Sequence, residues 1–138
     1  MKESMNEAER WILQAEDDFR FVKWVQEEDL FYDKGCFIAQ QSGEKAVKAC
    51  LYASGERSVI GHSILDMLKK LSTLDKNFEN VLSEGKRLDR FYIPTRYPNG
   101  LPGGSPFQTF DKEDLSNAVN DLIQIIEICQ KFLNKFKQ

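Results

Sequence analysis

Polar side chains able to bind a phosphate recur at helical spacing in the second quarter of the chain. Gln41, Glu44, Lys45 and Lys48 stand at i, i+3, i+4 and i+7, so a single helix would place all four along one side. Ammonium groups bind phosphate through charge-assisted hydrogen bonds. The same spacing is also typical of a solvated helix surface that carries Glu and Lys. The sequence leaves both interpretations open.

A second group of candidate ligand-binding residues follows: His62, Arg90, Arg96 and Tyr97. A guanidinium holds phosphate by charge-assisted hydrogen bonds, and a tyrosine stacks on a base or donates its hydroxyl. His62, the only histidine, precedes a predicted helix N-terminus, where a cation is disfavoured and a neutral ring is expected. It belongs either to a polar pocket or to a backbone contact at the helix entry, and Arg90 either faces an anion or complements a helix dipole. Together with the helical stripe, these residues would hold a nucleotide or an RNA backbone.

Signatures of most catalytic and metal sites are missing from the sequence. There is no G-x-x-x-x-G-K-[ST] loop, no H-E-x-x-H, no nucleophile elbow and no Cys–His set with ligand spacing. Cys36, Cys50 and Cys129 are an odd number at apolar helical positions, without a CxxC pair, so we expect buried free thiols in a reducing compartment. The sequence therefore predicts neither a metal site nor a cofactor.

Size and charge limit the remaining possibilities. The 138 residues predict one domain spanning 1–138, with 41% hydrophobic and 30% charged residues, as in ordinary globular proteins. A net charge of −3 argues against holding DNA or RNA by bulk charge. The N-terminus lacks an apolar signal region and no run of 18 apolar residues occurs, so we expect a cytoplasmic protein without membrane contact.

Hydrophobic periodicity predicts an all-α chain, an up-and-down bundle of four to five helices. The predicted helices are Asn6–Glu28, Lys34–Ser54, a short one opened by a Ser63/Asp66 capping box, Lys76–Tyr92 and Lys112–Lys137 with Asp111 as N-cap. In the second helix, small residues would pack and the polar stripe would face outward. The small residues are Ala39, Ser42, Gly43, Ala46, Ala49 and Ala53.

The segment Ile93–Phe110 contains all four prolines and three glycines, so we expect a loop without regular structure. Its apolar residues predict that it lies against the bundle, and a loop of this length is either functional or mobile.

Two apolar residues of the first predicted helix lie opposite its core face. Leu13 and Trp24 are eleven residues apart, which places them on nearly the same side. Isolated exposed apolar residues are normal, but tryptophan is also enriched in interfaces. They are therefore candidates for a subunit or partner interface.

The order of these residues is similar to that of a known family. The run Gln40-Gln41-Ser42-Gly43-Glu44-Lys45-Ala46-Val47-Lys48, then His62 before a leucine-rich helix, then Arg96-Tyr97-Pro98, resembles the prokaryotic HEPN domain family, in its branch associated with minimal nucleotidyltransferases. The resemblance extends from Trp11 to the last helix. It implies a helical bundle, commonly dimeric and often encoded beside a minimal nucleotidyltransferase in a toxin–antitoxin-like pair.

The resemblance also implies an enzymatic alternative. Several HEPN branches are metal-independent ribonucleases that use an Arg, a polar neighbour and a His four to six residues after the Arg. Arg96 matches the first of these, but Tyr97 replaces the polar neighbour and no His follows. Asn99 and Gln108 do not titrate, so neither replaces a histidine base.

We therefore predict a HEPN-domain bundle that acts as a nucleotide- or RNA-associated binding module, forms a homodimer and pairs with a minimal nucleotidyltransferase. Arg96 and Tyr97 would anchor the ligand, supported by Lys45, Lys48 and His62. The alternatives are a metal-independent ribonuclease and a purely structural helical interaction protein, so the sequence does not decide whether the protein is an enzyme.

Overall fold

Helices joined by short links make up the chain, which the computed structural model describes over residues 2–137. The helices are α1 (Lys2–Glu28), α2 (Tyr32–Ala53), α3 (Ile64–Ser72), α4 (Leu82–Asp89), α5 (Pro106–Thr109) and α6 (Lys112–Asn134). Short 3-10 segments lie at Lys76–Val81 and Pro98–Gly100. No strand occurs in this range, which confirms the predicted all-α bundle.

Helix α2 lies at the centre, packed against α1, α3, α4 and α6. Its small residues are all buried, as predicted. A Cβ at Gly43 would lie only 3.1 Å from Ile64 Cδ1 and 3.2 Å from Leu88 Cδ1, so its missing side chain allows the close approach of α3 and α4.

The prediction that the polar stripe of α2 faces outward is wrong for two of its residues. Glu44 and Lys48 are only 5% and 6% exposed. Neighbouring helices surround α2 on nearly every side, so its polar positions are enclosed together with its apolar ones. Helical periodicity gives relative angles within one helix and cannot count the neighbours of that helix.

The predicted helix Lys76–Tyr92 is divided in the structure. A 3-10 segment ends at Val81, whose backbone (φ −122°, ψ 16°) interrupts the helix, and α4 starts at Leu82. Both Phe78 and Val81 are buried. Helix α4 packs onto α3 at Gly85, where a Cβ would lie 2.6 Å from Leu68 Cδ1. The apolar spacing fits both arrangements, and tertiary packing selects the broken one.

The segment 93–110 also differs from its prediction as an irregular loop, because it contains α5 and one 3-10 turn. Pro106 occupies the first turn of α5, where its fixed φ suits a helix and its missing N–H is not needed. Ser105 and Gln108 form a capping box around it. Thr95 and Pro106 are buried, so the segment lies against the bundle as expected, although Phe107 is exposed.

The remaining boundaries differ by a few residues from the predictions. Helix α1 begins at Lys2, earlier than expected, and α6 ends at Asn134, which leaves Phe136 exposed beyond it. Asp111 caps α6 by accepting a hydrogen bond from Asp114 N at 3.0 Å, as predicted. All three cysteines are buried free thiols. Within residues 2–137, no helix combines the length and the apolar character needed to cross a bilayer.

Candidate functional site

The Arg96 guanidinium lies among three aromatic rings. Its Cζ is 4.5 Å from the ring centre of Phe37, 4.6 Å from that of Tyr92 and 5.2 Å from that of Tyr97. Its Nε donates a hydrogen bond to the Tyr92 carbonyl at 2.9 Å. These cation–π contacts and the backbone bond hold the group in one orientation. Neither Nη atom has a hydrogen-bond or ion-pair partner within residues 2–137, so both are available to a ligand.

The His62 ring lies against the same tyrosine. The ring centres of His62 and Tyr92 are 4.6 Å apart with an interplanar angle of 21°. His62 Nδ1 is 3.2 Å from Glu44 Oε1, while 56% of the side chain is exposed. When Nδ1 carries the proton, Glu44 fixes the tautomer and Nε2 is left as an acceptor. The ring thus takes part in a polar cluster rather than a backbone contact at the helix entry.

Glu44 connects this imidazole to the interior of the bundle. Its Oε2 pairs with Lys48 Nζ at 3.1 Å, and its Oε1 accepts a hydrogen bond from Gln40 Nε2 at 3.3 Å. Gln40 Nε2 also donates to the His62 carbonyl at 3.3 Å, and Gln40 Oε1 accepts from Gln41 Nε2 at 2.7 Å. A buried charge pair needs such additional hydrogen bonds to offset its desolvation. Glu44 and Lys48 therefore position His62 and are not free to contact a ligand.

Two predicted site residues lie outside this cluster. Lys45 Nζ pairs with Asp18 Oδ2 at 2.6 Å and thereby links α2 to α1. Arg90 is exposed immediately after α4 and forms none of the ion pairs found in the described chain. The structure therefore brings together Arg96, Tyr97, His62, Glu44, Lys48 and Gln41, but not Lys45 or Arg90.

Asp89 caps the start of α3, next to His62, a role that sequence reasoning did not detect. Its carboxylate accepts hydrogen bonds from Ile64 N at 2.8 Å, Leu65 N at 3.1 Å and Ser63 Oγ at 3.0 Å. Ser63 is the N-cap as predicted, but Asp89 of α4, rather than Asp66, supplies the carboxylate at this helix start. Nothing in the local sequence indicates a capping group that comes from another helix.

An open cleft of about 500 Å³ lies beside Arg96. Helix α1 contributes Phe21, and α5 contributes Phe107. The first turns of α2 contribute Asp33 and Lys34. Phe37 also lines the cleft, one turn after Asp33 on α2, and so connects it to the Arg96 cluster. Sequence reasoning missed Asp33 and Phe37, because a lone Asp and a lone Phe at a helix start carry no motif.

The cleft suits a flat, anionic ligand. Its aromatic walls offer stacking surfaces, and its two cationic side chains, Lys34 and Arg96, offer charge-assisted hydrogen bonds. No group of three or more His, Cys, Asp or Glu residues with the geometry of a metal site occurs among residues 2–137. The groups of the cleft can hold a ligand through stacking and charge.

The proposed interface residues lie on the same side of α1 as the edge of the cleft. Leu13 and Trp24 are 54% and 51% exposed, as expected. The Trp24 ring stacks on that of Phe21, with centres 6.2 Å apart, and Phe21 lines the cleft. The exposed aromatic surface of α1 is therefore continuous with the cleft.

Comparison with known proteins gives consistent matches along nearly the whole chain. The model of the HEPN domain family matches residues 8–132. The crystal structure of TT1696 from Thermus thermophilus is similar, with 31% identity, a TM-score of 0.85 and coverage of 92% of this chain and 98% of that one. ST0689, described as an archaeal HEPN homologue, shows 30% identity, a TM-score of 0.75 and coverage of 92% and 98%. A HEPN domain protein from Thermotoga maritima, TM0613, shows 30% identity, a TM-score of 0.71 and coverage of 91% and 98%. No curated protein matches.

Proposed function

The chain belongs to the HEPN domain family, and from this premise we propose that it is a nucleotide- or RNA-binding module whose ligand occupies the cleft beside Arg96. The observation that carries the proposal is the Arg96 guanidinium, oriented by three rings and one carbonyl while both Nη atoms stay unpaired within residues 2–137. An oriented guanidinium binds a phosphate through two parallel hydrogen bonds.

The other groups of the cleft support the same ligand class. Lys34 gives a second cation at the cleft wall, and Phe37 and Phe107 give rings on which a base can stack. Tyr97, half exposed and 5.2 Å from Arg96 Cζ, offers another ring and a hydroxyl. A bulk basic charge is not needed when one phosphate is held by a few positioned groups.

Calorimetric titration with AMP, ATP, GTP and a short RNA tests this proposal. We expect Arg96→Ala to weaken binding at least about tenfold, because a bidentate charge-assisted contact is lost. Arg96→Lys should weaken it too, since an ammonium keeps the charge but lacks the planar fork. Arg90→Ala, which removes an exposed arginine outside the cluster, is the matched control. If the wild-type protein binds none of these ligands, the proposal is wrong.

We also propose that the module is a homodimer and pairs with a minimal nucleotidyltransferase in a toxin–antitoxin-like system. The exposed Leu13 and Trp24 beside the cleft support an interface at this surface. The test is whether the neighbouring reading frame encodes a nucleotidyltransferase. We expect that it does, and that the encoded enzyme co-purifies with this protein. If the partner still binds Arg96→Ala without any nucleotide dependence, the purely structural interaction protein is the better interpretation.

Metal-independent RNA cleavage is a second candidate, favoured by one observation. His62 and Arg96 contact the same Tyr92 ring, and Glu44 fixes the His62 ring through Nδ1. Such a histidine could take a proton from a ribose 2′-hydroxyl while a guanidinium stabilises the phosphorane. Cleavage in the presence of EDTA, ending in a 2′,3′-cyclic phosphate and lost in His62→Gln and Arg96→Ala, would support it. Absence of cleavage by the wild-type protein would exclude it.

A further inference from the structure

The Asp33 carboxylate is buried in the wall of the cleft and yet has few partners. Its side chain is 5% exposed and its Oδ2 lies 3.0 Å from Lys34 Nζ. No hydrogen bond within residues 2–137 reaches its Oδ1. Because every fully enclosed side-chain nitrogen or oxygen of the described chain has a partner, Oδ1 must keep an open surface. Asp33 is one of the residues that line the cleft.

The cleft is lined by one carboxylate and two cations, and only Lys34 is paired with the carboxylate. Asp33 and Arg96 form no ion pair in the described chain, although both line the same space. Phe37 lines it as well, one turn after Asp33 on α2 and 4.5 Å from Arg96 Cζ. The aromatic surface is therefore flanked by a hydrogen-bond acceptor and by a cation. A ligand that matches it has a planar ring, hydrogen-bond donors on one edge and an anionic group elsewhere.

We propose that Asp33 recognises the base edge and that the cleft takes guanine nucleotides. An ionised carboxylate only accepts hydrogen bonds. Guanine offers it two adjacent donors, N1–H and the 2-amino group. Adenine and cytosine place a ring-nitrogen acceptor beside their amino group, and uracil places carbonyls on both sides of its N–H, so each would direct a lone pair at the carboxylate. This inference rests on the nucleotide-binding function proposed above.

Titration of the full chain with GMP, IMP and AMP tests the inference. IMP differs from GMP only in lacking the 2-amino group, so we expect it to bind about tenfold more weakly. AMP should bind more weakly still, because its ring-nitrogen acceptor would face a buried carboxylate that also only accepts hydrogen bonds. Asp33→Asn should bring the affinities for GMP and IMP within about threefold of each other, since the neutral amide forms no charge-assisted bond.

Lys34→Met is the matched control, because it removes the neighbouring cation and keeps Asp33. It should lower the affinity for all three nucleotides and preserve the preference for GMP. Equal binding of GMP, IMP and AMP to the wild-type protein would overturn the base assignment and leave the proposed function intact. A GMP preference that persists in Asp33→Asn would overturn the role of Asp33. Binding of none of the three would overturn the guanine assignment, and the titrations with ATP, GTP and the short RNA would then decide the proposed function separately. The wild-type comparison of GMP with IMP decides the matter even where Asp33→Asn does not fold.

Discussion

At the scale of single residues, Glu44 is the group on which the polar cluster depends. One buried carboxylate contacts Lys48, Gln40 and His62, and so joins the interior of α2 to an exposed imidazole. A partly satisfied buried network costs more than an apolar core. This makes Glu44 a positioning residue whose removal should affect both stability and the orientation of His62.

We predict that Glu44→Gln destabilises the fold by about 3 to 5 kcal/mol, because it leaves the Lys48 ammonium buried without its counter-charge. Urea unfolding followed by circular dichroism measures the change. Glu79→Gln, an exposed position in the 3-10 segment, is the control and should stay within about 0.5 kcal/mol of the wild type. Equal stability of the two variants would contradict the role of Glu44.

The buried cysteines should react slowly in the native protein. Burial raises the pKa of the Cys36 thiol, and burial followed by the hydrogen bond to Cys129 raises the pKa of Cys50. The reactive thiolate is therefore scarce at neutral pH. We expect iodoacetamide to label both cysteines far more slowly in buffer than in urea, as followed by mass spectrometry.

The same pKa shifts predict in which direction the free energy of unfolding changes with pH. A thiol of the unfolded chain ionises at about pH 8.5, whereas these two thiols stay protonated in the folded state. The unfolded state therefore binds fewer protons above that pH, and the free energy of unfolding should fall as pH rises beyond about 8.5. Replacing Cys36 with Ala should reduce this fall, and an unchanged slope would contradict the assignment.

At the scale of elements, the contact between α4 and α3 fixes the start of α3, directly after His62. The Asp89 carboxylate caps two backbone N–H groups at the start of α3, directly after His62. Gly85 lets α4 approach α3 closely enough for this bond. One side chain from another helix thus holds the helix start that follows His62.

We expect Asp89→Ala to lower the free energy of unfolding by about 1 to 2 kcal/mol, because the first N–H groups of α3 lose their acceptor. Chemical denaturation measures the loss, and the chemical shifts of the His62 ring should change with it. Asp66→Ala serves as the control, since Asp66 contributes only its backbone N–H to the cap. A larger loss in Asp66→Ala than in Asp89→Ala would show that the cap is local after all.

At the scale of the whole molecule, α1 exposes an aromatic surface to solvent. Trp24 and Phe21 stack on each other in the open, beside a cleft with further exposed apolar residues. Exposed aromatic residues clustered in this way are typical of interfaces. The homodimer proposed above would cover this surface.

If the proposed homodimer forms through this surface, Trp24→Glu should convert it to a species of one chain, 16.0 kDa, because a buried charge would oppose association. Size-exclusion chromatography with light scattering gives the mass. Ile60→Glu, at an exposed apolar residue in the link between α2 and α3, should leave the mass unchanged. An unaltered mass in Trp24→Glu would remove Trp24 from the interface.

Features that depend on residues near each other in the chain were readable from the sequence alone. Helical periodicity gave the positions of α1, α2, α3 and α6, and the N-caps Ser63 and Asp111 were readable because a cap acts within one turn. The order of motif residues was enough to indicate the family. The small-residue face of α2 also followed from spacing alone.

Which polar groups meet depends on how the helices pack. The contacts of Arg96 with Phe37, of His62 with Glu44 and of Asp89 with Ile64 N join residues far apart in the chain. Such contacts depend on how many helices surround each element and from which side they approach. The periodicity within one helix carries no information on either. For the same reason the burial of Glu44 and the division of the predicted helix at Val81 could not be read from the sequence.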